Sequence, residues 1–324
     1  MPWVVRDAVD DINRAVGRRW QGLDRLLPGR ADLPEGCVAP LVAAGANGRP
    51  AGLGVCRHQF VPADTLNQTW GSASRFSLIL RLREPDTSAA LDDLLGQWHD
   101  RLAGLPEAAA ADTAAMVNWP ARDVTGVNAL LRHGLQALTV IAVRPAEPPA
   151  PASVRDGQES AGLVIREAGL ADLDTVTEFE MGVIRYDAQF GAAIIRPATE
   201  ALVRAETQPA LAARPAWAWL AERDGQPVGL LHVQPPGHSG WIASMTRPGV
   251  TVYLQTMFVR PGERGRGVGA ALVRHVHGVL DGRGVQTTLL HYALMNPLSA
   301  PFWNRMGYRP LWTGWEVRPA ASLR

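Results

Sequence analysis

"FVRPGERGRGVGAALVRHV", residues 258–276, joins the end of an apolar, β-branched run to a helical pattern through a knot of glycine and arginine. The run before it, TVYLQTMFV (251–259), is rich in residues that favour strands. After the knot, Val268, Ala271, Leu272, His275, Val276, Val279 and Leu280 recur on one helical face. The glycines of DGRG (281–284) mark the end of that helix. A strand that turns into a helix through Arg264-Gly265-Arg266-Gly267-Val268-Gly269 presents successive backbone N–H groups at the positive end of the helix dipole. Glycine lets an anion approach without meeting a Cβ, and Arg264 and Arg266 add charged donors. Several donors in sequence suit a pyrophosphate better than a single phosphate. The spacing is not G-x-G-x-x-G, and no Gly-Lys-Ser/Thr is present, so neither a Rossmann fingerprint nor a Walker A loop is encoded.

Outward from the knot, the second half reads as strand, helix, three strands, helix, strand, helix, strand. LVIREA (163–168) and 251–259 are strands, 171–186 a helix, and RDGQ a hairpin turn between AWAWLAE and PVGLLHV. VQTTLLHYAL, a short helix over 298–306 and a strand over 309–317 complete it. Helices on a mostly antiparallel sheet predict an α+β fold.

The chain has 324 residues, 47% of them apolar and 19% charged, with a formal charge of +1. That length predicts two domains, and that charge offers no global field for nucleic acid. All 32 basic residues are arginine, which excludes lysine Schiff-base chemistry. Cys37 and Cys56 are too few for a disulfide framework or a Cys-rich zinc site. His275 and His277 lie on different helix faces, against a metal site. No signal-like or membrane-spanning segment is evident, so a cytoplasmic protein with reduced thiols is expected. A Pro-rich linker, 146–160, separates residues 1–145 from 161–324. The halves echo each other: GRPAGLGV, starting at Gly48, matches GQPVGLLH, starting at Gly225. Gly134 likewise matches Gly307 at nearly the same offset. That offset places the knot on Ser88–Asp93, Pro261 on Pro85, Asn296 on Asp123 and Trp303 on Leu130. No glycine or arginine remains at the counterpart of the knot, so the first half is expected to keep the fold without an anion site.

VRPGERGRGVGAAL resembles the acyl-CoA-binding motif of the GCN5-related N-acetyltransferases (GNAT), with Arg264, Gly267 and Gly269 at its defining positions. NPLSAPFWNRMGY (296–308) is similar to the family's second motif through Asn296, Ser299, Trp303, Gly307 and Tyr308. The resemblance covers about 163–317 and implies two GNAT-like domains in tandem, each a mostly antiparallel mixed sheet flanked by helices. It implies acetyl-CoA or another acyl-CoA as cofactor, with Met257, Phe258 and Val259 pairing the pantetheine arm. Arg264, Gly265, Arg266, Gly267, Val268, Gly269 and Ala270 would hold the phosphates, and Asn296, Ser299 and Trp303 would complete the site.

Acyl transfer to an amine needs a base, a place for the carbonyl oxygen and a thiolate that can leave. Trp303 stands where the family commonly places a tyrosine acid, and an indole N–H does not release a proton at working pH. Tyr253 and Tyr292 are the catalytic candidates, with Tyr308 a further tyrosine. Strand alternation groups Tyr253, Gln255 and Met257 on one face. Asp187, Gln255 and His291 are expected at the acceptor, and Glu180 is another candidate base. The expected activity is acylation of a small-molecule primary amine, with no nucleic acid or membrane partner. The alternative is an acyl-CoA-binding regulatory or scaffold protein without turnover, kept open by Trp303 and a strand lacking a carboxylate.

Overall fold

The computed structural model describes residues 3–30, 40–45, 50–84, 87–146 and 162–324. Nearly all of the linker, together with Cys37, Gly48 and Pro85, lies outside them. The first half runs α1 (Trp3–Leu23), β1 (Leu41–Ala44), β2 (Pro50–Phe60), β3 (Ser74–Leu82), α2 (Thr87–Ala103), β4 (Thr113–Pro120), α3 (Val127–Arg132) and β5 (Gln136–Pro145). The second runs β6 (Leu163–Glu167), α4 (Leu173–Ala188), α5 (Thr199–Ala212), β7 (Ala218–Arg223), β8 (Gln226–Gln234), α6 (Gly240–Ala243), β9 (Thr251–Val259), α7 (Val268–Gly282), β10 (Thr287–Ala293), α8 (Ser299–Arg305) and β11 (Arg309–Val317). The order β2-β3-α2-β4-α3-β5 repeats as β8-β9-α7-β10-α8-β11, with the short α6 inserted between β8 and β9. Gly134 and Gly307, at φ 83° and 84°, each turn the chain from the short helix into the last strand, in a conformation that favours glycine.

All the strands form one sheet, ordered β1-β2-β3-β4-β11-β5-β10-β9-β8-β7-β6. The halves exchange their last strands. β11 lies antiparallel between β4 and β5, and β5 lies antiparallel between β11 and β10. Each half therefore completes the other's hydrogen-bond ladder. Two parallel pairs, β3 with β4 and β9 with β10, occupy corresponding places.

On one sheet face, α7 buries Val268, Leu272, Val273, Val276 and Leu280 against Trp219, Leu231 and Leu290, each worth about 1.5–3 kcal/mol when fully buried. Helix α2 does the same in the first half with Leu91, Leu94, Leu95 and Trp98. The opposite face carries α1 over Ile141, Val143, Leu289 and Trp312, and α4 and α5 over Leu220 and Leu230.

Three sequence expectations change. Helix α5 was not foreseen, since TEALVRAETQPALA carries a proline in its last turn and a broken apolar stripe. The counterpart of the knot is not a loop: Ser88–Asp93 lies inside α2, because only 83–86 join β3 to α2, whereas 260–267 join β9 to α7. Asp92 there pairs with Arg132 at 2.8 Å, so it stands at no anion seat. Strand alternation through β9 also fails. Leu231 pairs with Met257 and His232 with Thr256, but Val233 pairs with Leu254, so Gln255 is the extra residue of a β-bulge. The bulge reverses the pleat. Met257 and Val259 join Val252 and Leu254 beneath α7, while Tyr253 faces the α1 side.

Candidate active site

β9 and β10 pair only from Thr251 to Tyr253 with Thr287 to Leu289. Beyond Tyr253, β9 keeps β8 on one edge and has no ladder partner on the other among the described residues. That unpaired edge, running past Met257 and Phe258, leads to the glycine/arginine turn. There Gly265 and Gly267 adopt φ 75° and 82°, and Gly267 caps α7. The first helical bond runs from Ala271 N to Gly267 O at 3.0 Å, so the amides of Val268, Gly269 and Ala270 open the helix without intrahelical acceptors. The turn is exposed, and a Cβ on Gly269 would lie 2.6 Å from Met257 Cε.

The arginines of the turn differ. Arg264 donates to Val259 O at 3.2 Å and lies over the Tyr186 ring, 5.4 Å from its centroid, at the edge of the cleft. Arg266 pairs with Glu263 at 2.8 Å and does not line the cleft, contrary to the expectation that both face an anion. Glu263 also holds Arg223.

A cleft of about 1500 Å³ runs from this turn through the β9–β10 gap and across the α1-side face of the sheet to β2 and β3. Both halves line it. At the gap, His291 Nδ1 and the Tyr253 hydroxyl lie 3.2 Å apart, with Trp241 packed against both rings. Burial pushes the His291 imidazole down to about 4, so the ring is neutral at neutral pH. Burial also pushes the Tyr253 phenol up, with the Asp187 charge acting in the same direction. Asp187, near the end of α4, is pushed up to about 6 by burial, against a hydrogen bond from Asn296. That bond, from Asn296 Nδ2 to Asp187 Oδ1, is 3.5 Å long. Asn296 Oδ1 accepts from Leu298 N at 3.0 Å, holding the turn into α8.

The cleft thus gathers Tyr253, Gln255, Met257, Phe258, Val259, Arg264, Gly265, Gly267, Val268, Gly269 and Ala270 with Asp187, His291, Tyr292, Asn296, Ser299 and Trp303. Tyr292 lies on the α7 side of β10, opposite in pleat to His291, in the cluster that holds Trp303. Burial raises its phenol too. Two candidates fall elsewhere. Tyr308 is fully buried against His277, and Glu180 is buried between Thr207 and His232, at 2.7 Å from each. The break that Glu180 makes in the apolar stripe of α4 marks this buried polar contact. From the sequence the first half is expected to stabilise the second or to wall its acceptor groove, and Trp241 is one of six tryptophans of the second half. Which strands make the floor and which tryptophan stands at the gap were not legible, because sheet pairing across a strand exchange leaves no local signal. Among the described residues no cluster of metal-ligating side chains occurs, and no helix is long and apolar enough to cross a membrane.

Residues 190–308 match the model of the acetyltransferase (GNAT) family. The fold is similar to that of a GCN5-related N-acetyltransferase from Sphaerobacter thermophilus, at 17% identity and TM-score 0.56, over 96% of this chain and 92% of that one. Other similar structures are a tandem GNAT protein from the clavulanic acid biosynthesis pathway and the PaiA N-acetyltransferase of Thermoplasma acidophilum in complex with coenzyme A. The first is 14% identical, covers 97% of this chain and 94% of that chain, and has a TM-score of 0.43. The second is 12% identical, covers 48% and 98%, and has a TM-score of 0.36. No curated protein sequence matches the chain. With the knot and the second motif inside the matched segment, residues 190–308 form a domain of the acetyltransferase (GNAT) family, and the chain as a whole has a tandem GNAT-like fold, two such domains sharing one α+β sheet.

Proposed function

We propose that the protein is an acyl-CoA-dependent N-acyltransferase, with acetyl-CoA as the donor and a small-molecule primary amine as the acceptor. In this reading the cofactor sits in the second domain, 161–324, and 1–145 is a domain without a cofactor motif. The observation that carries it is the unpaired edge of β9 leading directly to the exposed glycine turn that opens α7. An open strand edge suits the amide-bearing pantetheine arm, as an added strand suits an extended peptide, and the turn suits its pyrophosphate. The residues present therefore fit the cofactor: Gly265, Gly267 and the amides of 268–270 for the phosphates, with Arg264 turning from the Tyr186 ring as a charged donor. Met257, Phe258 and Val259 would supply the strand edge, and Asn296, Ser299 and Trp303 the far wall. When bound, acetyl-CoA supplies an acyl thioester.

The chain's own groups do the rest. Asp187, poised near neutrality and facing the Tyr253 side of the gap, takes the proton of the incoming ammonium, directly or through a water. Tyr253 and neutral His291 orient the amine, with Gln255 beside them at the bulge. An N–H of the open β9 edge donates to the carbonyl oxygen. Tyr292, on the cofactor side of the gap, donates to the departing sulfur, where Trp303 offers no proton. A thiol with a pKa of about 8.5 leaves tolerably even without full protonation.

The test is release of free thiol from acetyl-CoA with a panel of primary amines. Turnover with at least one amine, reduced about 10²-fold or more in Asp187→Asn, is the expected result. Acetyl-CoA binding with no thiol release across the panel favours the non-catalytic acyl-CoA-binding reading.

A further inference from the structure

The far end of the cleft is basic, and the acyl-transfer reading leaves that end unused. Its floor there is the β2–β3 hairpin of the first half, where Arg57 pairs with Ser77 and Gln59 with Arg75. All of these side chains line the cleft, and diagonal neighbours on one sheet face lie about 7–8 Å apart. Arg57 is exposed and makes no ion pair or hydrogen bond among the described residues. Arg75 is half-buried and its guanidinium meets neutral acceptors only: Ser72 O at 2.9 Å, Asn67 O at 2.7 Å and Asn67 Oδ1 at 3.3 Å. Of the carboxylates near this end, Glu316 is paired with Arg318 and Asp112 with Arg196 at 2.8 Å, while Glu206, on the cleft wall, is held by the backbone of Leu66. Two guanidinium groups against one carboxylate without an ion pair leave net positive charge on this polar floor: Arg75 has no anionic hydrogen-bond contact and Arg57 has no partner among the described residues.

We infer that the acceptor carries an anionic oxygen group, a carboxylate or a phosphate, which Arg57 and Arg75 of the first half hold while its amine lies at the β9–β10 gap. The proposal rests on the acyltransferase reading and specifies its substrate class. β3, which carries Arg75, and β10 are separated by β4, β11 and β5, and β2, which carries Arg57, lies one strand farther; at ordinary strand spacing the two arginines stand about 19 and about 24 Å across the sheet from the gap, less the reach of their side chains. The acceptor is therefore elongated, and a short amino acid cannot reach both ends at once. Between them the floor and walls offer Ile79, Met116, Leu138 and Trp70, so its middle is apolar. Arginine forks match carboxylate and phosphate oxygens in geometry as well as charge, and Gln59 and Ser77 add neutral donors.

The experiment uses the full chain and three matched probes of one alkyl length: 12-aminododecanoate, 12-aminododecanamide and 12-aminododecyl phosphate. Binding to the acetyl-CoA-loaded protein and thiol release are both measured, for the wild type, Arg57→Ala and Arg57→Lys. The expected result is a preference of about tenfold or more for an anionic probe over the amide, lost in Arg57→Ala and partly kept in Arg57→Lys. The order of the carboxylate and phosphate probes distinguishes the two anions. Equal binding of all three probes to the wild type, or a preference unchanged in Arg57→Ala, overturns the proposal. Acetyl-CoA affinity, titrated separately, serves as the fold control in each variant. Its absence from the wild type contradicts the acyltransferase reading itself, a failure distinct from indifference to the anion.

Discussion

Asp187 is the residue on which chemistry and stability pull in opposite directions. Its carboxyl is pushed up to about 6 because burial disfavours the charged form more than Asn296 favours it. A base must be deprotonated to act, so activity is predicted to rise with pH through about 6 and to level off above it. Asn296→Ala removes the bond that stabilises the carboxylate and is expected to move the rise to higher pH, which a pH profile of kcat/KM would show. The sign for stability is the reverse. A carboxyl with a raised folded-state pKa contributes stability below its unfolded value near 3.8, and that contribution is lost as pH rises through about 6. Asp187→Asn is therefore predicted to lose turnover yet keep or raise the melting temperature at pH 8. A drop of several degrees there would show that the carboxylate is structural.

At the scale of elements, α4 is tied to the sheet by a buried polar contact. Glu180 accepts from Thr207 of α5 and lies against His232 of β8, and both Glu180 and His232 are almost fully buried. Removing one partner leaves the other unsatisfied, so Glu180→Ala is predicted to cost about 1–3 kcal/mol, read from chemical denaturation. An unchanged midpoint would contradict this account of the helix. The strands, α4, α7 and α8 of the second half were legible because each carries its own period and its own stop signals. The bulge at Gln255 was not, since a single extra residue changes no composition. It nevertheless decides that Tyr253 faces the α1 side of the sheet and Met257 the α7 side. Asp187 and Asn296 were each legible as candidates, but only the packing of α4 beside the turn into α8 brings them together.

At the scale of the molecule, the exchanged strands make the two halves one folding unit. β5 has no neighbour from its own half: both its edges are bonded to strands of the second, β11 and β10. Residues 161–324 alone would expose the edges of β10 and β11 that β5 joins, an arrangement prone to aggregation. That fragment is predicted to be insoluble or molten by near-UV circular dichroism, and to recover native signal when co-expressed with 1–145. A soluble, cooperatively folding fragment would contradict the reading. The repeated glycines and phrases announced the duplication, but no residue announces an exchange of strands, which depends on pairing across the whole sheet. The central claim, one cofactor site in the second half and none in the first, is most directly tested by calorimetric titration of the full chain with acetyl-CoA. The account predicts one site per chain, abolished by Gly267→Trp, because the left-handed φ of Gly267 disfavours any side chain and an indole there would stand in front of the first amides of α7. Two sites, or none at high concentration, would contradict it.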